Sequence, residues 1–280
     1  MKTLISTSVR AAVAAAFVAV AAPASASGEG SHIERQSWTF SGPFGQYDKQ
    51  QLQRGFQVYK EVCSSCHSLH LIAFRNLAEP GALGYSEDQV KALAAQYTVQ
   101  DGPNDDGDMF ERSAKPSDHF PAPFPNKQAA MVANGGSYPP DLSLIAKARA
   151  VERGFPWFVI DAFTQYQEQG PDYIHALLNG YEDIPEDVEI PDGKYYNTSF
   201  LGGDAIGMPP PLFEDLVEYA DGSPQTVEQY SQDVSAFLMW AAEPKLEERK
   251  KIGFRVMIFL LVFANLLYFT KKKIWRNIGH

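Results

Sequence analysis

The sequence predicts a mainly α-helical domain with unusually long loops, followed by one C-terminal transmembrane helix. Apolar residues recur at spacings of three and four in several segments, and no clear run alternates apolar and polar residues as a strand would. Between these segments lie stretches rich in Pro, Gly, Asn and Asp, above all 101–140 and 181–224, which are typical of loops. The third observation is a single apolar run at 253–270 that is followed at once by basic residues.

The first 26 residues are typical of a secretory signal peptide. They begin with the basic residues Lys2 and Arg10, continue with a short run of mostly Ala and Val, and end in Ala24-Ser25-Ala26. Cleavage after Ala26 would leave a mature chain that starts near Ser27. The sequence therefore predicts a domain that works outside the cytoplasmic membrane.

The apolar run at 253–270 has the length of a membrane span. Eighteen helical residues rise roughly 27 Å, just enough to cross a thin hydrocarbon core. Lys271, Lys272, Lys273 and Arg276 follow, and basic residues mark the cytoplasmic end of a span. The predicted order is a signal peptide at 1–26, an exported domain at 27–244, a basic linker at 245–252, a transmembrane anchor at 253–270 and a cytoplasmic tail at 271–280. The anchor crosses the bacterial inner membrane once, with the domain on the periplasmic side.

Charge divides the chain into two zones. Residues 27–244 carry 13 Lys and Arg against 32 Asp and Glu, whereas the chain from 245 onward is basic. An acidic domain of this kind argues against nucleic acid and is compatible either with a basic partner or with simple solubility. Two loops, 101–111 and 181–192, concentrate the acidic residues.

The first predicted helix carries the most distinctive motif of the chain. Asp48, with Gln51 three residues later, resembles a capping box. The positions that follow at helical spacing are Leu52, Phe56, Tyr59, Cys63 and Cys66. They form one helix face, which places the segment "CSSCH" at 63–67 at the end of the helix.

Further helices are predicted from periodicity and from start and stop signals. One opens at Ser86 with Gln89, and a short one begins at Asp141 as its N-cap. The others cover 156–167, 172–178 before Asn179-Gly180, and an amphipathic segment from Val227 to Trp240.

Cys63, Cys66 and His67 form the pattern C-x-x-C-H. Cys63 and Cys66 are the only cysteines of the chain. A zinc site would need a second ligand pair at close spacing, and no such pair is visible. A redox disulfide usually lies at the start of a helix that follows a strand. A covalent haem fits best, because the pattern is that of c-type haem attachment and the long loops would then enclose a cofactor.

The sixth ligand of such a haem iron has several candidates. Met239 lies beside Trp240 in the last helix, where core packing explains it, and Met109 and Met131 lie in polar loops. Met208 differs, because the three prolines after it in "AIGMPPPLF" fix the backbone of its loop. A thioether ligand closes the iron and raises the reduction potential, which suits electron transfer. The alternative for this segment is a proline-rich surface turn.

The chain resembles the cytochrome c1 family over essentially its whole mature length. The resemblance rests on "RGFQVYKEVCSSCHS" at 54–68, "YPPDLSLIAKAR" at 138–149, "PDYIHALLNGY" at 171–181, "MPPPLF" at 208–213 and "FLMWAAEPKLEERKKIGFRV" at 237–256. It implies a mainly α c-type cytochrome domain with long loops, held by a C-terminal anchor.

This resemblance also implies a function. The family is the haem subunit of ubiquinol–cytochrome c oxidoreductase, the dimeric cytochrome bc1 complex, and this chain would be a redox subunit with no substrate turnover of its own. Its single haem would accept an electron from the Rieske iron–sulfur protein, beside cytochrome b. It would pass that electron to a soluble, basic cytochrome c in a respiratory or photosynthetic chain.

The resemblance assigns roles to individual residues. Cys63 and Cys66 would attach one covalent haem c, with His67 as the fifth iron ligand and Met208 as the sixth.

Three more residues would support the cofactor. Arg149 would pair with a haem propionate, Tyr173 would form a hydrogen bond nearby, and Pro140 would pack against the haem face. The chain departs from some bacterial relatives, which carry an extra cysteine pair near the sixth ligand. What holds the Met208 loop, apart from its prolines, is therefore left open by the sequence.

Two other functions compete with electron relay inside a complex. One is a free-standing, membrane-anchored electron carrier, and the other is an enzyme subunit with an open haem. Co-purifying chains would distinguish the first, and the absorption spectrum of the reduced protein would distinguish the second.

Overall fold

The computed structural model describes residues 33–151 and 154–277, so the predicted signal peptide lies outside the described residues. The helices are α1 (Lys49–Glu61), α2 (Glu87–Ala94), α3 (Lys127–Ala133), α4 (Ile145–Ala148), α5 (Gly154–Thr164), α6 (Gln169–Asn179), α7 (Val227–Ala242) and α8 (Leu246–Ile274). Short 3₁₀ turns cover Cys63–Ser65, Phe74–Ala78 and Trp275–Asn277. The predicted mainly α architecture with long connecting loops is confirmed.

The strands are few and short. β1 (Thr98–Asp101) pairs antiparallel with β2 (Phe110–Ser113), and β3 (Tyr195–Tyr196) pairs antiparallel with β4 (Ala205–Ile206). The sequence indicated loops at 101–140 and 181–224, which include β2, β3 and β4, and gave no assignment for 98–100. Two to four residues are too few to establish an alternating pattern, and neither β1 nor β2 contains a buried residue, so neither carries an apolar face.

Helices α1 and α7 form the centre of the domain. They approach so closely that a Cβ atom on Gly55 would lie 2.1 Å from the carbonyl oxygen of Asp233. Beside this contact, the Arg54 guanidinium donates to the fully buried Asp233 carboxylate at 2.9 Å. Glycine is thus required on α1, because only a residue without a side chain allows the two backbones to meet.

Aromatic side chains fill the space around this helix pair. Phe56 and Tyr59 of α1 lie 5.6 and 5.7 Å from the ring of Phe237 on α7, with tilted rings. Phe120 extends the cluster, since its ring lies 5.9 Å from Phe56. Such pairs add to the free energy gained by burying the rings. The core therefore fixes the position of α1, and with it the segment that follows α1.

Two predicted helix starts are observed with their caps. Asp48 accepts hydrogen bonds from the backbone N–H groups of Gln50 and Gln51. Ser86 and Gln89 form a reciprocal capping box at α2. Side-chain oxygens at these positions satisfy N–H groups that have no partner within the helix. The predicted cap at Asp141 is wrong: α4 begins only at Ile145, with Leu144 at the N-cap and no side-chain hydrogen bond there.

Helix α8 is continuous over 29 residues, so the segment predicted as a linker is helical too. Its charged residues Glu247, Arg249 and Lys250 are good helix formers, which explains why the helix starts early. The side chains from 253 to 270 are exposed along the whole helix, and its length and hydropathy are those of a membrane span. Several contacts join its first turns to the domain. Among them, Glu247 accepts from the Tyr47 N–H at 3.1 Å, and Lys250 donates to the Phe40 carbonyl at 2.6 Å.

Candidate cofactor site

The two cysteines lie on a tight turn directly after α1. The backbone N–H groups of Cys66 and His67 both donate to the carbonyl oxygen of Cys63, at 3.1 and 2.9 Å. The α-helix itself ends at Glu61, so the cysteines follow the helix rather than extend its apolar face. Both side chains are half-buried, and their sulfur atoms are not bonded to each other. This turn brings Cys63, Cys66 and His67 together, as the spacing predicts.

The electrostatics of Cys63 argue against the redox-disulfide alternative. Burial, reinforced by the neighbouring Cys66, raises the pKa of the Cys63 thiol to about 12. Catalytic thiols have a lowered pKa, because the thiolate is the reactive form. Regarding zinc, residues 33–151 and 154–277 contain no group of three or more His, Cys, Asp or Glu side chains placed to hold a metal ion.

His67 is oriented by the segment that contains Pro140. Its Nδ1 atom lies 2.8 Å from the carbonyl oxygen of Pro140. A carbonyl can only accept, so this contact assigns the ring hydrogen to Nδ1 and leaves the Nε2 lone pair available. Burial also lowers the pKa of His67, which favours the neutral ring. A neutral imidazole whose other nitrogen donates to a backbone carbonyl is the usual arrangement of a metal-binding histidine.

Asp141 joins the cysteine turn to the Pro140 segment. Its carboxylate accepts from the Ser68 hydroxyl at 2.6 Å and from the backbone N–H of His70 at 3.0 Å. The backbone N–H of Leu142 also donates to the carbonyl of Ser68 at 2.9 Å. Burial alone would raise the pKa of Asp141, but hydrogen bonds from Ser143, Ser68 and His70 outweigh it and hold the pKa at about 2. Asp141 therefore acts as a clamp between two distant segments and not as a helix cap.

The Met208 loop is held by contacts that the sequence left open. The Tyr181 hydroxyl donates to the carbonyl oxygen of Met208 at 3.0 Å. Two residues before Met208, Ile206 pairs with Tyr195 in the β3–β4 ladder. A Cβ atom on Gly207 would lie 2.1 Å from Ser137 Oγ, so the loop packs closely against the segment that leads to Pro140. These contacts hold the Met208 loop in a chain whose only cysteines are Cys63 and Cys66.

Lys194 strengthens the same junction. Its Nζ donates to Ser137 Oγ at 2.6 Å. Ser137 lies three residues before Pro140, and Gly207 lies one residue before Met208. The structure therefore brings the His67–Pro140 pair and the Met208 loop to one region of the domain.

Arg149 and Tyr173 lie near each other. Burial raises the pKa of Tyr173, and the positive charge of Arg149 acts in the opposite direction, which indicates proximity. The Tyr173 hydroxyl accepts from the backbone N–H of Leu201 at 3.5 Å. Burial raises the pKa of Tyr181, and the nearby Tyr173 raises it further. Arg149 itself is exposed at the end of α4. The sequence did not assign roles to Tyr181 or Ser137. Tyr181 ends the segment 171–181 without a role of its own, and Ser137 stands in no motif.

Comparison with known proteins agrees with this geometry. The model of the Cytochrome C1 family matches residues 38–278. The chain belongs to the cytochrome c1 family.

Similar proteins include the cytochrome c1 of Blastochloris viridis, 53% identical over 94% of this chain and 93% of that protein. The cytochrome c1 of Rhodospirillum rubrum is 45% identical over 97% of this chain and 98% of its own length. A protein of Bradyrhizobium diazoefficiens named cytochrome b/c1 is 62% identical over 86% of this chain, which spans only 35% of that longer protein.

Cytochrome c1 proteins carry a covalent haem c, and Cys63 and Cys66 fit its attachment motif. The local geometry fits the group as well: two adjacent thiols on one turn stand beside an imidazole whose Nε2 is left for a metal. The long apolar helix α8 further identifies the chain as a membrane-anchored member of the family.

Proposed function

We propose that this cytochrome c1 relays single electrons from the Rieske iron–sulfur protein to a soluble cytochrome c, within a dimeric cytochrome bc1 complex that also contains cytochrome b. The observation that carries the proposal is the His67–Pro140 hydrogen bond at the cysteine turn, because it prepares a neutral imidazole for an iron. The names of its relatives, cytochrome c1 and cytochrome b/c1, support the same assembly.

Each predicted site residue has a role in this proposal. Cys63 and Cys66 would attach the haem through thioether bonds, and His67 and Met208 would be the two protein ligands of its iron. The haem supplies a one-electron iron couple when it is bound. The carbonyl of Pro140 orients His67, and the hydroxyl of Tyr181 holds the backbone of Met208.

Arg149 and Tyr173 serve the propionate side of the haem. A guanidinium stays charged at every relevant pH, and the buried Tyr173 hydroxyl is a hydrogen-bonding group close to it. A carboxylate placed between them would meet a fixed cation and a donor, the pairing that partly buried carboxylates need.

Replacement of Met208 by Leu tests the ligand assignment. Leucine keeps a similar apolar volume but removes the sulfur, a soft ligand that favours the reduced metal. We expect the reduction potential to fall by on the order of 0.2 V, within the roughly 0.8 V range that axial ligands cover. Carbon monoxide should then bind the reduced haem, which remains attached.

Met109→Leu is the matched control, since Met109 is an exposed methionine in another loop. It should leave the potential and carbon monoxide binding unchanged. If Met208→Leu behaves like Met109→Leu, Met208 is not the ligand. If carbon monoxide already binds the unmodified protein, the open-haem enzyme is favoured over the electron relay.

The acidic loops 101–111 and 181–192 are proposed to attract the soluble cytochrome c. All Asp and Glu side chains of these two loops are partly or fully exposed. Steering of a basic partner falls steeply with salt, because the Debye length shrinks from about 30 Å at 0.01 M to about 8 Å at 0.15 M. Stopped-flow reduction of a basic cytochrome c across ionic strength measures this. A rate independent of salt would contradict steering, and unchanged salt dependence after neutralisation of both loops would exclude these loops.

Membership of a complex is tested by gentle detergent extraction and identification of the chains that accompany the haem protein. We expect a cytochrome b and an iron–sulfur protein in fixed proportion to it. Isolation of the chain alone, still able to reduce cytochrome c, would favour the free-standing carrier.

The same membranes test the proposed orientation, since protease added to the periplasmic side should digest the haem domain.

A further inference from the structure

Helix α5 exposes its apolar side chains and buries a polar one. Phe158 and Phe163 are 60% and 85% exposed. Phe155, at the start of the element, is 83% exposed, and its backbone is extended rather than helical, so the chain bends there. Asp161, on the same helix, is only 8% exposed. A helix on the surface of a water-soluble protein shows the opposite arrangement, with its apolar stripe toward the core. The medium around the outer face of α5 is therefore expected to be apolar.

The segment that follows α5 is joined to the first turns of α8. The guanidinium of Arg249 donates to Gln167 Oε1 at 3.2 Å. Burial raises the pKa of Glu168, and the charge of Lys250 acts in the opposite direction, so these two groups are close as well. Phe158 and Gln167 also border one cavity of about 540 Å³. Helix α5 thus lies alongside its own following segment and near the start of α8.

This position corresponds to the edge of a membrane. Arg249 precedes the predicted start of the span, Gly253, by four helical residues, which is about 6 Å along the axis. The polar headgroup layer on each side of a bilayer is roughly 5–8 Å thick. A second element reaches the same level, because the exposed ring of Phe44 lies 5.4 Å from Phe254 on α8.

We propose that α5 lies in the headgroup region of the membrane, with Phe155, Phe158 and Phe163 turned toward lipid. Helices with a broad apolar face bind at this depth, and aromatic side chains favour it. The domain would then rest on the membrane through α5 and the Phe44 loop as well as through α8, which limits how far it can tilt about its anchor. The observations favour lipid over a protein partner because the segment that follows α5 contacts Arg249, which lies four residues before the predicted span.

The depth of α5 is measurable with spin labels on the full, haem-loaded chain, purified with the proteins that accompany it and reconstituted in vesicles of phosphatidylcholine and phosphatidylglycerol. Because Cys63 and Cys66 are taken up by the haem, Phe155→Cys and Phe163→Cys each introduce one reactive thiol. Val132→Cys is the matched control, since Val132 lies on α3 and is as exposed as Phe163, at 85%.

For each label, collisions with oxygen, which concentrates in lipid, are compared with collisions with a water-soluble nickel chelate. We expect the oxygen-to-nickel ratio at positions 155 and 163 to be several-fold higher than at position 132. Equal ratios at all three positions would place α5 in water and overturn the proposal. Labels at 155 and 163 that are shielded from both reagents would show a protein interface instead, which also overturns it. Neither result bears on electron relay, which is tested separately by the Met208 substitution.

Discussion

The α1–α7 core and the loops that carry Pro140 and Met208 are built in different ways. In the core, backbones meet at Gly55 and buried aromatic rings pack around them. In the loops, single polar contacts join segments that are far apart in sequence, as between His67 and Pro140 or between Tyr181 and Met208. The core therefore owes its stability to burial, whereas the loops depend on a few hydrogen bonds and on what they enclose.

The largest expected effect is on the loops that carry Pro140 and Met208, and it follows from replacement of both cysteines. Cys63→Ser with Cys66→Ser abolishes both thioether tethers, so we expect almost no haem stain after denaturing electrophoresis. The loops that contain Pro140 and Met208 should become sensitive to protease, and the apo-domain should be unstable. Each single variant, which keeps one tether, is the control and should retain part of the haem. Full staining in the double variant would contradict covalent attachment.

The second effect is on the stability of the core, and it should leave haem attachment and the reduction potential unchanged. Gly55→Ala places a methyl group against the backbone of Asp233, where no rotamer can relieve the contact. We expect a loss of about 3 kcal/mol in the free energy of unfolding, at the upper end of overpacking effects. In a domain of this size, the thermal midpoint should fall by roughly 6–12 °C, measured by circular dichroism in detergent.

Gly253→Ala is the matched control, since it is a helical glycine with no atom within 4 Å of the added group. Alanine favours a helix over glycine by about 1 kcal/mol, so this variant should be neutral or slightly more stable. A Gly55→Ala variant as stable as Gly253→Ala would mean that α1 and α7 can separate without cost. The contrast between a rigid core and dependent loops would then fail.

The same contrast explains what the sequence could predict. Core helices were found by periodicity and caps, because both signals come from residues that are neighbours in the chain, such as Ser86 and Gln89. The early start of α8 was missed since its charged first turns carry no apolar pattern. The short strands were missed for a similar reason, as two to four residues define no period.

At the site, the sequence identified residues but not their contacts. The motif and the resemblance named His67 and Met208, but neither reveals which backbone groups hold them. Asp141 was assigned to its own helix because an acidic residue before an apolar run usually caps it. Besides the local Ser143, its partners are Ser68 and His70, some 70 residues earlier, and one sequence contains no signal for such a pairing.

The smallest expected effect concerns this clamp and depends on pH. The pKa of Asp141 is about 2, below the ordinary value of 3.8, so the folded state favours the charged form. Stability from this group is therefore complete above about pH 4 and is lost as the pH falls through about 2. Asp141→Asn removes the charge, and we expect it to cost about 1 kcal/mol near neutral pH, a value discounted for the partial exposure of the group. Denaturant titrations should show the two proteins converging between pH 4 and pH 2.

Asp118→Asn is a control that separates the clamp from acid titration in general. The Asp118 carboxylate also has a pKa of about 2, but its main partner is Arg112 of strand β2. Both variants should converge with the unmodified protein over the same pH range. Only Asp141→Asn should increase proteolysis at 138–149 near neutral pH, because of the two carboxylates only Asp141 contacts both that segment and the cysteine turn. Equal protease sensitivity in the two variants would mean that the Pro140 segment is held by His67 and the haem rather than by the carboxylate.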